Sequence, residues 1–344
     1  MENKCFVMVG PNKFKEEIRQ TPTLGDNEIL VKIEYCGICG SDVHLFQTGV
    51  LGVFEFTTPM ILGHESAGAI VEAGKNVKHL SVGDRVALEP GVACGKCKHC
   101  KEGNYNLCQD VVFMATPPYD GAFMQYVKFP ADMAFKLPDN VSCKEGALVE
   151  PLAVGLYATQ RGEVALGSKV VIFGAGCIGL VTLLSCLARG AKDVIVVDVV
   201  RSRLDFAKQL GAKYVINASE NDTIKAAECI FLDGADVAID CTGSEKCIQT
   251  TAFVVRAGGK IVVVGMGQDV IPFNFTKIMW KEIDIKTVFR YKNLYPVAIN
   301  AISNGIIDVK KIATHEFILD ELPQAFDYVI NHKEEVVKAV VKVN

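Results

Sequence analysis

The apolar run Val170-Val171-Ile172-Phe173 passes directly into Gly174-Ala175-Gly176-Cys177-Ile178-Gly179, and residues 180–189 then read as a helix. A strand, a glycine turn and a helix in that order bring backbone N–H groups and a helix N-terminus to one point, where a pyrophosphate can rest. Alone, G-x-G-x-x-G is weak, because glycines also make tight turns for structural reasons. Asp198 strengthens it, lying nineteen residues beyond Gly179 at the end of the next apolar strand. A carboxylate there can accept both hydroxyls of an adenosine ribose and repels a 2′-phosphate, so NAD is expected over NADP. Arg203 blurs that preference, since a nearby guanidinium can serve a phosphate.

The surrounding pattern extends this unit into a domain. Segments 169–173, 194–198, 214–216, 237–241, 260–264 and 283–288 are strand-like, and helix-length stretches separate several of them. Such alternation predicts an α/β fold with a doubly wound parallel sheet. The first 150 residues differ, alternating short β-type runs such as 28–35 and 69–72 with Gly- and Pro-rich turns, which predicts a mostly antiparallel β domain. Beyond Tyr291 the pattern predicts a helix to Asn304, a strand near 315–318, a helix near 322–330 and a Val-rich strand at 336–343. Two domains suit a chain of 344 residues, half of them hydrophobic.

Composition excludes several classes of partner. With 36 basic against 40 acidic residues, net charge −4, the chain offers no electrostatic grip on nucleic acid. No stretch of about 18 apolar residues exists to cross a membrane, and Met1-Glu2-Asn3-Lys4 leads into no export signal. Thirteen cysteines, an odd number with C-x2-C spacing, point to reduced thiols and metal ligands in a cytoplasmic protein.

Cys94, Cys97, Cys100 and Cys108 follow the pattern C-x2-C-x2-C-x7-C, a spacing that lets four thiolates surround one zinc. Sulfur would fill every position, so this zinc should organise a lobe at about 90–110 and take no part in chemistry. Lys96, Lys98 and Lys101 interleave with the ligands and offset their negative charge. A second, scattered set of Cys39, His64, Glu65 and Glu150 mixes sulfur, nitrogen and oxygen, as an open catalytic zinc would require. Residue by residue that set is ambiguous, since His64 could be a satisfied core histidine and Cys39 an inert thiol.

Cys39-Gly40-Ser41-Asp42-Val43-His44, Gly63-His64-Glu65, Gly83-Asp84-Arg85-Val86, the four-cysteine lobe and the Gly174 motif occur in the order seen in zinc-dependent medium-chain alcohol and polyol dehydrogenases. Over essentially its whole length the chain resembles that family. Ala115-Thr116-Pro117-Pro118, the stretch Glu145 to Gly155, and Val288-Phe289-Arg290-Tyr291 resemble the sorbitol (L-iditol) and xylitol dehydrogenase group most.

The resemblance implies a GroES-like catalytic domain over 1–155, a Rossmann domain over 156–290, and a segment 291–344 returning to the catalytic domain, with the active site in the cleft between domains. It implies two zincs per chain. One is held by Cys39, His64 and Glu65, with Glu150 bound directly or through water. There a secondary alcohol would lose its proton and then a hydride to the nicotinamide. Ser41 and His44 match the family positions that relay the proton through the cofactor ribose to solvent. Gly174, Gly176, Ile178, Gly179, Asp198 and Arg203 would hold the adenosine end and diphosphate, while Val264, Gly265, Met266, Val288, Phe289 and Arg290 would line the nicotinamide side. Thr116, Glu150, Arg290 and Tyr291 would meet substrate.

The expected substrate is a polyol of the sorbitol, xylitol or L-iditol type, and a homodimer or homotetramer is expected. A 2,3-diol, L-threonine or a sugar acid such as L-idonate or L-galactonate remains open on the same scaffold. So does a non-catalytic module that binds zinc and NAD. Where several animal sorbitol dehydrogenases carry a tyrosine just after the equivalent of His44, this chain has Leu45, so its substrate preference can differ from theirs.

Overall fold

The strand Glu28–Ile38 carries an apolar face of Ile29, Val31 and Ile33, all fully buried, and its length lets several partners pair with it. Glu65–Ala73, Tyr126–Pro130 and Lys338–Lys342 all run antiparallel to it. They build a seven-stranded sheet that also takes in Arg85–Leu88, Ala134–Lys136 and Ala313–Ile318. Its one parallel pairing joins Ala313–Ile318 to Lys338–Lys342, so the chain's last strands complete a sheet that starts with Glu28–Ile38. Phe123 and Phe326 are fully buried in the core beside this sheet, where each contributes about 1.5–3 kcal/mol by leaving water.

This computed structural model describes all 344 residues. They fall into two units, Met1–Glu150 with Tyr295–Asn344, and Pro151–Leu294. The second unit holds a six-stranded, wholly parallel sheet in the order Tyr214–Asn217, Asp193–Asp198, Lys169–Phe173, Ala235–Asp240, Val255–Val263, Asp284–Thr287. Val170, Val171, Ile172, Ile195 and Val196 have no exposed surface. Such continuous apolar runs belong to strands covered on both faces. The strand order reverses between Lys169–Phe173 and Ala235–Asp240, and that switch point opens a crevice at the strands' carboxyl ends.

Several strand boundaries differ from the sequence pattern, and the fifth parallel strand differs most. The fifth strand begins at Val255, ahead of the predicted start at Lys260, and runs through Gly258-Gly259. Its register against Ala235–Asp240 slips there, and a Cβ on Gly259 would lie 2.5 Å from the Val255 side chain. The glycines therefore make a bulge inside the strand and do not end it. Of the apolar segment 252–275, Ala252, Val254, Val255, Ile261 and Val262 are core, whereas Met266, Val270 and Phe275 are exposed.

Candidate active site

Cys39 caps the helix Gly40–Thr48, and its backbone N–H donates to Asp42 Oδ2 at 3.1 Å. The other oxygen of Asp42 accepts the Gly63 N–H at 3.2 Å and lies 3.3 Å from His64 Nδ1. One buried carboxylate thus ties the helix N-terminus to the turn that carries His64. Gly63 has φ +91°, and a Cβ there would lie 2.8 Å from Cys36 Sγ and 2.9 Å from the Phe123 ring, so only glycine fits ahead of the histidine.

A carboxylate at Nδ1 places the proton there and leaves Nε2 as a lone-pair donor. Burial opposes charge on His64, yet Asp42 and Cys39 beside it push its pKa well above the ordinary value, so a cation bound at Nε2 would displace a proton there. Ligand atoms of Cys39, His64 and Glu65 all lie within 4.8 Å of one another. Sulfur, imidazole nitrogen and carboxylate oxygen at that separation, with the imidazole already oriented, suit zinc with a position left open. Glu150 is buried in the first turn of the helix Val149–Arg161 but lies outside this close set.

The four thiols Cys94, Cys97, Cys100 and Cys108 also converge within 4.8 Å. The turn Cys97–Cys100 brings two sulfurs to 3.5 Å, and Cys94 Sγ lies 3.9 Å from Cys100 Sγ. N–H groups of Lys96 and Cys97 aimed at Cys94 bring its thiol down to about 7, ready to deprotonate for a cation. All four positions are sulfur, as a closed structural zinc requires.

Ser41 and His44 are one turn apart on the helix Gly40–Thr48, with Ser41 half-buried and His44 exposed to solvent. Thr116 is half-buried in the same unit.

In the second unit, Gly174 has φ +96°, and a Cβ on Gly179 would lie 1.8 Å from the Gly174 carbonyl oxygen. The first glycine makes the turn and the third lets the helix Cys177–Ala188 pack against it. Gly176 caps that helix, with Ile178 in its first turn. Asp198 accepts the Ala175 N–H at 2.6 Å and those of Val199 and Val200 at 2.8 and 2.9 Å. The carboxylate is thus fixed beside the glycine turn, and Arg203 Nη1 comes within 4.0 Å of where a Gly176 Cβ would be.

Asp240, absent from the sequence-derived set, organises the other side of the switch point. Its buried carboxylate accepts from Thr242 N–H, Thr242 O–H and Gly243 N–H at 3.2, 2.5 and 2.9 Å. Its carbonyl accepts from Val264 and Gly265. A Cβ on Gly265 would lie 2.0 Å from Gly243 N, so glycines let the two loops touch. Met266 is exposed beyond them. Val288 N–H donates to Val263 carbonyl at 3.0 Å, Phe289 is exposed, and the Arg290 guanidinium stacks 4.4 Å above its ring. Tyr291 is buried, 2% exposed.

The alcohol dehydrogenase GroES-like domain matches residues 25–139, and the zinc-binding dehydrogenase family matches 177–304. Sorbitol dehydrogenase of Rattus norvegicus is 44% identical over 95% of this chain and 92% of its own length. That of Bacillus subtilis is 42% identical over 99% and 97%. The chain belongs to the zinc-dependent medium-chain dehydrogenase family. Its place is in the sorbitol dehydrogenase group, and the two units are that family's GroES-like and Rossmann domains. A crystal structure of an Escherichia coli oxidoreductase of unknown specificity superposes with TM-score 0.97 at 44% identity, each chain fully covered. As a member of this family the chain is an oxidoreductase that uses zinc and a nicotinamide dinucleotide. No helix is long and apolar enough to cross a membrane.

Asp42, Asp240 and Lys338 are the residues that reading the sequence missed at these sites. Asp42 had a local signal, a carboxylate three residues after a helix cap, whereas Lys338 reaches Glu65 across 273 residues.

Proposed function

We propose that this dehydrogenase oxidises a secondary hydroxyl of a polyol of the sorbitol, xylitol or L-iditol type to a ketose, with NAD as hydride acceptor. The observation that carries the reading is the convergence of Cys39, His64 and Glu65 donors, with His64 oriented by Asp42. Sorbitol dehydrogenases at 42–44% identity support the polyol. Zinc held there would supply a Lewis acid that lowers the pKa of a substrate hydroxyl. Asp42 keeps Nε2 of His64 available, and the low exposure of His64 and Glu65 keeps bulk water from the set.

Ser41 would receive the hydroxyl proton and His44 would pass it to solvent. Asp198, immobilised by three N–H groups, would accept the ribose hydroxyls and repel a 2′-phosphate, which favours NAD. Arg290 would offer several donors and no acceptor to hydroxyls. The same reading puts the enzyme in the cytoplasm as a homodimer or homotetramer, in keeping with thirteen free thiols.

The test is NADH formation at about 340 nm, the reduced nicotinamide's absorbance, by the zinc-loaded enzyme on sorbitol, xylitol, 2,3-butanediol, L-threonine and L-idonate, with NADP in place of NAD for the best substrate. Turnover of a polyol with NAD is expected. Turnover confined to a diol, threonine or a sugar acid would overturn the substrate, preference for NADP would overturn the role of Asp198, and no turnover with two zincs bound would favour a non-catalytic module.

A further inference from the structure

Residues 93–111 carry all four thiols of the lobe and are closed at their base by two strands of two residues each, Gly91–Val92 and Val112–Phe113. The strands pair antiparallel, with Val112 opposite Val92 and Phe113 opposite Gly91. So short a ladder is marginal by itself, and a free loop of that length costs entropy to close. Cys94 and Cys108 stand near the two ends of the loop, where the Cys94 N–H donates to Cys108 Sγ at 3.4 Å. One cation shared by both thiols would clip the loop at its neck and hold the register of the strands below it.

That register decides where Phe113 stands. Its ring lies 5.6 Å from the His64 imidazole, inclined at 59°. Past Phe113 the same segment runs on to the turn that carries His64, where Gly121, Ala122 and Phe123 donate their N–H groups to the carbonyls of Ile61, Gly63 and Leu62 at 2.7, 2.7 and 3.0 Å. A Cβ on Gly121 would lie 2.4 Å from the Gly63 carbonyl oxygen, so backbone rests on backbone directly ahead of the histidine. The chain leaving the thiol lobe therefore holds His64 twice, by a ring against its imidazole and by the backbone that leads into it. Asp42 fixes the imidazole at Nδ1 alone, and a single hydrogen bond lets a ring tilt about that atom. A second ring packed against it limits the tilt.

We infer that the two metal sites are coupled and that Phe113 carries the coupling. Filling the thiol lobe fixes Phe113 against His64, and this steadies the imidazole for the cation of the Cys39 set. Phe113 is a positioning residue: it acts on the metal set through His64. The inference rests on the lobe and the Cys39 set each holding a zinc.

The test measures the zinc affinity of the Cys39 set in the full-length protein by competition with a chelator, taking the step absent from Cys39→Ser as that of this set. Cys100→Ser, which empties the lobe, should weaken this zinc about three- to tenfold, the worth of one aromatic contact, without expelling it. Phe113→Ala should weaken it by a similar factor with the lobe still filled, and Phe113→Tyr, which keeps the ring, should stay within about twofold of the parent. The double variant Phe113→Ala/Cys100→Ser separates coupling from general loosening. With the link already cut, emptying the lobe should add less than about twofold, whereas independent losses would multiply. If Cys100→Ser fails to fold, the coupling is read from the other side, because it is reciprocal. Cys39→Ser should then weaken the lobe's zinc by the same factor, and should not do so in the Phe113→Ala background. Unchanged affinity in Cys100→Ser or Phe113→Ala, or factors that multiply in the double variant, overturns the inference. Fewer than two zincs in the parent protein would instead overturn the metal reading on which it stands.

Discussion

Asp42 makes three polar contacts that converge on the metal set, with Cys39 N–H, Gly63 N–H and His64 Nδ1. Removing such a carboxylate leaves the ligands in place but lets the imidazole turn. Asp42→Ala should therefore weaken zinc at the Cys39 set by about 10–100-fold, measured by competition with a chelator, while the four-cysteine zinc stays bound. Glu89 supplies a separate prediction. It is 3% exposed and accepts the Tyr105 O–H at 2.8 Å, and burial pushes its carboxyl from 4.5 up to about 7. Between those values the folded chain holds more protons than the unfolded one, so this group's contribution to stability falls as pH rises. The stability of Glu89→Gln relative to the parent should accordingly increase by up to roughly 3 kcal/mol between pH about 5 and 8, read from denaturant midpoints. A difference that is flat with pH would mean the carboxyl ionises normally. Cys39, His64 and Glu65 were ambiguous one by one, and the resemblance of their motifs to zinc-dependent dehydrogenases is what singled them out; the fold brings their donor atoms within 4.8 Å. The role of Asp42 in the same motif is not readable from sequence, because an aspartate near a helix start is equally well an ordinary capping residue.

The strand–turn–helix around Gly174 shows how an element turns local sequence into a binding surface. Its third glycine is needed for space, since an added methyl at Gly179 would overlap the Gly174 carbonyl oxygen at 1.8 Å. Gly179→Ala should cost about 1–3 kcal/mol by forcing helix and turn apart. By displacing the N–H groups that would meet a pyrophosphate, it should also weaken NAD binding, and calorimetric titration with NAD alongside thermal unfolding checks both. The parallel strands were readable from apolar runs of strand length, whereas their order, in which the chain crosses from the edge strand Tyr214–Asn217 back to Ala235–Asp240 on the other side of Lys169–Phe173, was not. Val255 was not readable as a strand start, because Gly258-Gly259 looks like a terminator and becomes a bulge only when Ala235–Asp240 lies alongside.

For the whole molecule the chemistry predicts two zincs per chain held on different terms. The four-cysteine site uses residues within one short segment, so Cys100→Ser should remove one zinc and leave the other, counted by elemental analysis of the purified protein. The Cys39 set draws on the first helix cap, a turn near residue 64 and, through Lys338, the chain's last strand. Sequence by itself determined what is local: the glycine turn and its acidic partner, the thiol lobe, the strand and helix periods, and the metal-ligand types. Motif spacing and side-chain period act over a few residues, so these survive without knowledge of the fold. Only the tertiary structure decided that Asp42 orients His64, that Asp240 joins two loops, and that Lys338 grips Glu65 across an intervening glycine. Those contacts depend on which strands become neighbours, and strand order is settled by the burial of whole apolar faces, which no short stretch of sequence encodes.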